Sequence, residues 1–115
     1  MATKVSTGLT GLAVSHHPHR TLKALYNRII AELKKAPPDA AYRRHTEKII
    51  NQRLKMVESE VDAAKLEQKI NCGQIEEVIK QAERELYLTR KMLEWKPWEP
   101  LIAQAPPNQW KWPLV

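Results

Sequence analysis

Three imidazoles crowd the stretch "HHPH", as His16, His17 and His19, and Cys72 is the single cysteine of the chain. Clustered histidines are potential metal ligands. Here no fourth ligand or orienting carboxylate lies nearby in sequence, and Pro18 breaks the local spacing. One cysteine excludes an internal disulfide and any multi-cysteine zinc or iron-sulfur site. Cys72 stands beside the helix-ending Gly73, with no neighbouring cation in sequence to favour its thiolate. His45 falls near the inner face of a helix, a place for a hydrogen-bonded interface histidine rather than a general base. With only Gly8, Gly11 and Gly73 in the chain, a phosphate-cradling loop is not available, and neither H-E-x-x-H nor G-x-S-x-G occurs. The reading is therefore of a non-enzyme with no catalytic, cofactor-binding or metal site.

Leu25-Tyr26-Asn27 comes close to Leu-Tyr-Arg, the signature of small basic mitochondrial three-helix adaptors that bind acyl carrier protein or serve iron-sulfur assembly. Arg28 arrives one residue late, which rotates it by about 100° on a helix. The plainer reading makes Leu25 and Tyr26 core positions, and the adaptor stands as the alternative function.

The large aromatic side chains point elsewhere. All four tryptophans, Trp95, Trp98, Trp110 and Trp112, lie in "EWKPWEPLIAQAPPNQWKWPLV", among Pro97, Pro100, Pro106, Pro107 and Pro113. Proline forbids a continuous helix there and pushes each preceding residue toward extended backbone. Tryptophan buries a large apolar area while its N–H can still bond a polar group, so it is favoured at binding hot spots. Proline reduces the freedom an arm loses on docking. The candidate contact residues are thus Trp95, Pro97, Trp98, Pro100, Trp110, Trp112 and Pro113, with Tyr42, Arg43 and Arg44 as a second, basic aromatic face. Two uses of the arm stay open: docking on a partner, or folding back over a small core.

The elements that must present these residues read as all-α: a three-helix bundle with a short additional helix and an extended Pro/Trp-rich C-terminal arm. Leu22, Leu25, Tyr26, Ile29, Ile30 and Leu33 share one helical stripe, with Pro18 in the first turn and "APPD" ending the helix. A second helix is expected from about Ala40 to Val57, capped by Asp39. Its inner face comprises Tyr42, His45, Thr46, Ile49, Ile50, Arg53, Leu54 and Val57. Ser59 and Asp62 have capping-box spacing for a short helix carrying Val61, Leu66 and Ile70, closed by Gly73. The last helix carries Ile75, Val78, Ile79, Ala82, Leu86 and Leu93, with a Glu76–Lys80 pair and with Glu76, Glu77, Arg90 and Lys91 placed to suit the helix dipole. The domain boundaries follow as an N-terminal extended segment 1–17, a bundle 18–94 and an arm 95–115.

A chain of 115 residues with 43% hydrophobic and 28% charged residues fits a single domain with a modest core. No run of about 18 apolar residues is present, so no transmembrane span is read. The net charge of +6 lies wholly before Glu94, interspersed with acids and without the long basic block of a nucleic-acid arm. One feature departs from that mixture. The first 31 residues hold Lys4, Arg20, Lys23 and Arg28 and no acid, a composition resembling a mitochondrial import sequence, although "STGLTGLAVSHHP" lacks the early arginines of one.

"TGLTGLAV", "AAYRRHTEKI", "QIEEVIKQAERELYLTRKMLEWKPWEPL" and "PPNQWKWP" together resemble the family of small alpha-subcomplex accessory subunits, number five, of mitochondrial respiratory complex I, the NADH:ubiquinone oxidoreductase. The resemblance spans nearly the whole chain, with the motifs in order. It implies a supernumerary subunit without cofactor or catalytic residue, on the matrix arm near the quinone-reducing module. The bundle would project toward the nucleoside-kinase-like accessory subunit, and the tail would hold core subunits, notably the thirty-kilodalton subunit of the iron-sulfur-protein fraction. The chain would be imported and held peripherally on the matrix side of the mitochondrial inner membrane, with no nucleic-acid partner. Its role would be assembly and stability of the electron-transfer complex, with an influence on the enzyme's conformational states. In one place the sequence departs from the family: the expected Pro-His-Glu-Arg-Leu reads Pro18-His19-Arg20-Thr21-Leu22, without the acid, which removes a favourable charge from the helix N-terminus.

Overall fold

A computed structural model describes residues 5–112. Four helices follow one another: α1 (Pro18–Leu33), α2 (Ala41–Ser59), α3 (Ala63–Ile70) and α4 (Ile75–Trp95), with no strand among the described residues. The all-α reading is thus what the chain adopts.

The core is the α1 stripe. Leu22, Tyr26, Ile29 and Leu33 are almost wholly excluded from solvent and meet Ile50 and Val57 of α2, Leu66 of α3, and Ile75, Val78, Ile79, Ala82 and Leu86 of α4. Burial of such side chains contributes roughly 1.5–3 kcal/mol each. Helix α1 packs along both α2 and α4, whereas α2 and α4 approach each other far less closely. Their directions follow from cross-chain bonds. His19 Nε2 meets the Glu60 carbonyl at 2.7 Å, so the start of α1 is beside the end of α2. Tyr42 reaches Glu85 and Thr89, while Arg53 reaches Gln81, so α4 runs antiparallel to α2.

The helix boundaries correct several expectations. Asp39 is exposed and does not cap α2; Ala40 occupies the N-cap without a side-chain bond. The α1–α2 loop is held instead by Arg43, whose Nη1 donates to the Ala36 carbonyl at 2.7 Å. The guanidinium, a donor, ties α2 to a carbonyl just past the end of α1, while the first N–H groups of α2 receive no side-chain cap. Ser59 starts nothing: it is the last residue of α2 and donates to Met56 O. The cap of α3 is Asp62, accepting from Ala64 N at 3.1 Å, so Val61 falls before the helix and is exposed. At the other end the left-handed C-cap is Asn71, at φ 55, with Gly73 left-handed two residues on. Asn tolerates this conformation through its short polar side chain.

Helix α4 opens with a capping box made by Gln74 and Glu77, the Gln74 N–H donating to Glu77 Oε2 at 2.9 Å. Glu76 and Glu77 occupy the first turn as expected. Glu76 does not reach for Lys80, however. It is buried and accepts Ser15 N–H at 3.4 Å, while Lys80 pairs with Glu83 at 3.6 Å. The N-terminal segment is further tied down by Gln74 Nε2, donating to the Thr7 carbonyl at 2.7 Å. Helix α4 runs to Trp95, so Arg90 and Lys91 precede its last turn, which holds no basic residue.

Candidate docking surface

Local backbone chemistry sets where the arm begins. Lys96 sits in the left-handed region at φ 52, its N–H bonded to Met92 O, and the next bond, Glu99 N–H to Lys96 O at 3.1 Å, closes a turn rather than another helical step. Pro97 can give no N–H to continue α4. Beyond it, among the described residues, the backbone bonds of the arm are the single-turn bonds Gln109 N–H to Pro106 O and Lys111 N–H to Asn108 O.

Trp95 closes α4 and is 63% exposed; Trp110 and Trp112 are exposed to 86% and 82%. Only Trp98 is half-buried, while Pro97 and Pro100 are exposed. Pro113 lies outside the described residues. Of the two uses of the arm, no fold-back cover for the core forms among the described residues, Trp98 apart. Leu101 and Ile102 are fully presented as well, and the sequence reading overlooked them although two apolar residues between Pro100 and Pro106 were signal enough. On α4, Leu88 and Trp95, seven residues apart and hence on one face, extend this apolar run back along the helix.

The second candidate face behaves differently. The Tyr42 hydroxyl donates to Glu85 Oε1 at 2.7 Å and lies 3.1 Å from Thr89 Oγ1. Burial first, and then the bond to the Glu85 carboxylate, push the Tyr42 phenol up to about 12. Arg43 is engaged by Glu47 at 2.9 Å and by the Ala36 carbonyl, so only Arg44 of the trio is exposed. Between α2 and α4 a cleft of about 270 Å³ opens over α1, lined by Tyr42, Thr46, Ile49, Ile50, Arg53, Gln81 and Glu85 with Tyr26 at its floor.

The residues first considered for chemistry do not converge. Among the described residues no group of three or more His, Cys, Asp or Glu could hold a metal. His16 and His17 are exposed and His19 is turned to the Glu60 carbonyl. His45 is exposed, outside the inner face assigned to it, because Thr46 takes the buried position. Cys72 does acquire a cation, from across the fold: Arg53 Nη2 donates to its Sγ at 3.4 Å. Sequence neighbours could not reveal a guanidinium 19 residues away. Tyr26 is a core residue whose phenol is raised by burial, with the Arg53 charge opposing, and Arg28 is exposed on another side of α1. The Leu-Tyr pair therefore serves packing.

A compact monomer of 13.3 kDa exposes about 6,450 Å². This chain exposes 8719 Å², and the arm carries Leu101, Ile102, Trp110 and Trp112 among its exposed large apolar side chains. Residues 11–77 match the family described as ETC complex I subunit conserved region. The chain belongs to that family. Over 111 residues, 96% of either chain, it is 56% identical to NADH dehydrogenase (ubiquinone) 1 alpha subcomplex subunit 5 of Bos taurus. It is 55% identical over the same shares to the protein so named in Mus musculus. A relative from Arabidopsis thaliana, named as the probable mitochondrial subunit 5, is 39% identical over 83% of this chain and 56% of its own length. The family pattern spans α1, α2, α3 and the start of α4; the matches over 111 residues run well beyond it, into the arm.

No helix among the described residues is long and apolar enough to cross a membrane.

Proposed function

We propose that this chain is a non-catalytic accessory subunit of mitochondrial complex I that stabilises the assembled electron-transfer enzyme. It sits on the matrix arm near the quinone-reducing module and is peripheral to the inner membrane through the complex. The observation that carries the mechanism is the arm: Trp95, Trp110 and Trp112 with Leu101 and Ile102 remain open to solvent in the chain alone. Apolar surface of this kind on a small protein marks an interaction site.

In this reading the bundle is the rigid body and the arm is the strap. Tryptophans enter pockets on core subunits, the thirty-kilodalton subunit among them, while prolines hold the strap extended. The other end of the molecule faces the nucleoside-kinase-like accessory subunit. Membership of the complex I family supports the assembly, and the exposed aromatic arm supports the mode of attachment.

Full-length protein and a form truncated after Lys96 are compared on native gels of solubilised mitochondria lacking the endogenous copy. Full-length chain is expected to migrate with NADH dehydrogenase activity, and the truncated form to run free while keeping its helical circular dichroism. Retention of the truncated form at full level refutes the strap, and a free full-length chain refutes the placement in complex I.

A further inference from the structure

The acid-free stretch that resembles an import sequence turns out to be, from Pro18 onward, a core helix with an unusual outer surface. Its exposed positions are Arg20, Lys23, Ala24, Asn27, Arg28, Ala31 and, just past its end, Lys34 and Lys35. At about 100° per residue these occupy one face, and five of the eight are cations with no acid among them. Glu32 lies at its edge, half-buried and paired with Lys35 at 3.3 Å. Among the described residues Arg20, Lys23, Arg28 and Lys34 have no ion-pair partner.

The arrangement within the face is ordered. Ala24 and Ala31, seven residues apart, run along its middle with Asn27 between them, and Arg20 lies on the same line at the N-terminal end. Lys23 and Lys34 lie to one side, Arg28 and Lys35 to the other. From Ala24 to Ala31 the small residues along the centre leave room for a second helix, and the cations on both flanks, with Arg20 at the N-terminal end, select acidic residues beside that helix's own seam, as charges flanking a coiled-coil seam select a partner. A membrane surface fits less well, because interfacial helices insert an apolar face and the apolar face of α1 is already buried in the core.

We propose that this outer face of α1 docks an acidic helix of a partner protein. The proposal rests on the reading of the chain as a complex I subunit and adds a second attachment, electrostatic and independent of the tryptophan arm.

Two measurements test it on the protein in its complex. Carbodiimide treatment of the native complex, which joins amines to carboxylates in direct ion pairs, is expected to link Lys23 and Lys34 to Asp or Glu residues of one helix in a neighbouring subunit, read by peptide mass spectrometry. Purified full-length chain carrying Arg20→Glu, Lys23→Glu and Arg28→Glu is then rebound to complex stripped of this subunit. Its retention is expected to fall at least about tenfold, and the wild-type chain's retention to weaken as salt rises. The absence of Lys23 and Lys34 links overturns the proposal, as does wild-type retention of the folded variant. Flotation of the chain with phosphatidylcholine–cardiolipin vesicles, lost in the variant and unaccompanied by protein links, overturns it in favour of a lipid headgroup. Failure of the wild-type chain itself to rebind counts against the complex I reading instead.

Discussion

Tyr42→Phe removes one oxygen and leaves the ring in place, which isolates the bond that spans α2 and α4. That oxygen donates to Glu85 Oε1 at 2.7 Å and touches Thr89 Oγ1 at 3.1 Å; Thr89 in turn donates to the Glu85 carbonyl at 2.8 Å. Two hydroxyl protons serve three contacts, so Thr89 keeps its backbone bond when Tyr42 loses its hydroxyl. The loss falls on the Glu85 carboxylate. A hydrogen bond to a charged group is worth about 1.5–3 kcal/mol, and both residues are half-buried, so the lower end applies: about 1.5 kcal/mol, or roughly 6–12 °C in melting temperature for a bundle of this size. Thermal melts of the free chain by circular dichroism at neutral pH measure it.

The pH dependence supplies a second, independent check. The Tyr42 phenol lies near 12 when folded against 10.0 as its ordinary value. Folding therefore favours the protonated phenol, and its contribution is complete below pH 10 and is lost as pH rises toward 12. The stability gap between wild type and Tyr42→Phe must narrow across that window. A gap below about 0.3 kcal/mol at neutral pH, or one that widens between pH 10 and 12, refutes the role given to this bond.

Gly73→Ala is expected to cost about 1–3 kcal/mol, because φ is +89 and the added Cβ would run into the Glu77 carboxylate that caps α4; urea unfolding checks it. Leu22→Ala, at a fully buried position, should lose about 2–5 kcal/mol, read from the same curves. Replacing Trp110 and Trp112 together by alanine should leave the melting temperature of the free chain within about 1 °C, since both rings are exposed. Incorporation into the complex on native gels should fall severalfold, as expected for lost hot-spot rings.

The hydrophobic stripe of α1 was readable because Leu22, Tyr26, Ile29 and Leu33 repeat at helical spacing, and the arm because proline and tryptophan dominate it. What escaped the sequence was what depends on tertiary neighbours. Asp39 has the chemistry of a cap, but Arg43 satisfies the Ala36 carbonyl and fixes the loop without it. Ser59 and Asp62 have the spacing of a capping box, yet α2 simply continues through Ser59. The box that does form uses Gln74, outside the favoured N-cap residues, because its side chain also reaches the Thr7 carbonyl 67 residues away. Helical spacing places Tyr42 on the inner face of α2, but the residues that hold its hydroxyl, Glu85 and Thr89, lie 43 and 47 positions away and leave no local signal.

The exposed strap also bears on the lifetime of a copy that finds no complex. Backbone from Pro97 to Trp112 forms isolated turns rather than helix or sheet, and such segments are where proteases cut first. The bundle beside it is ordered and resists. An orphan copy thus offers a degradation handle that docking would cover, and its cellular abundance would be set by the number of complexes able to receive it.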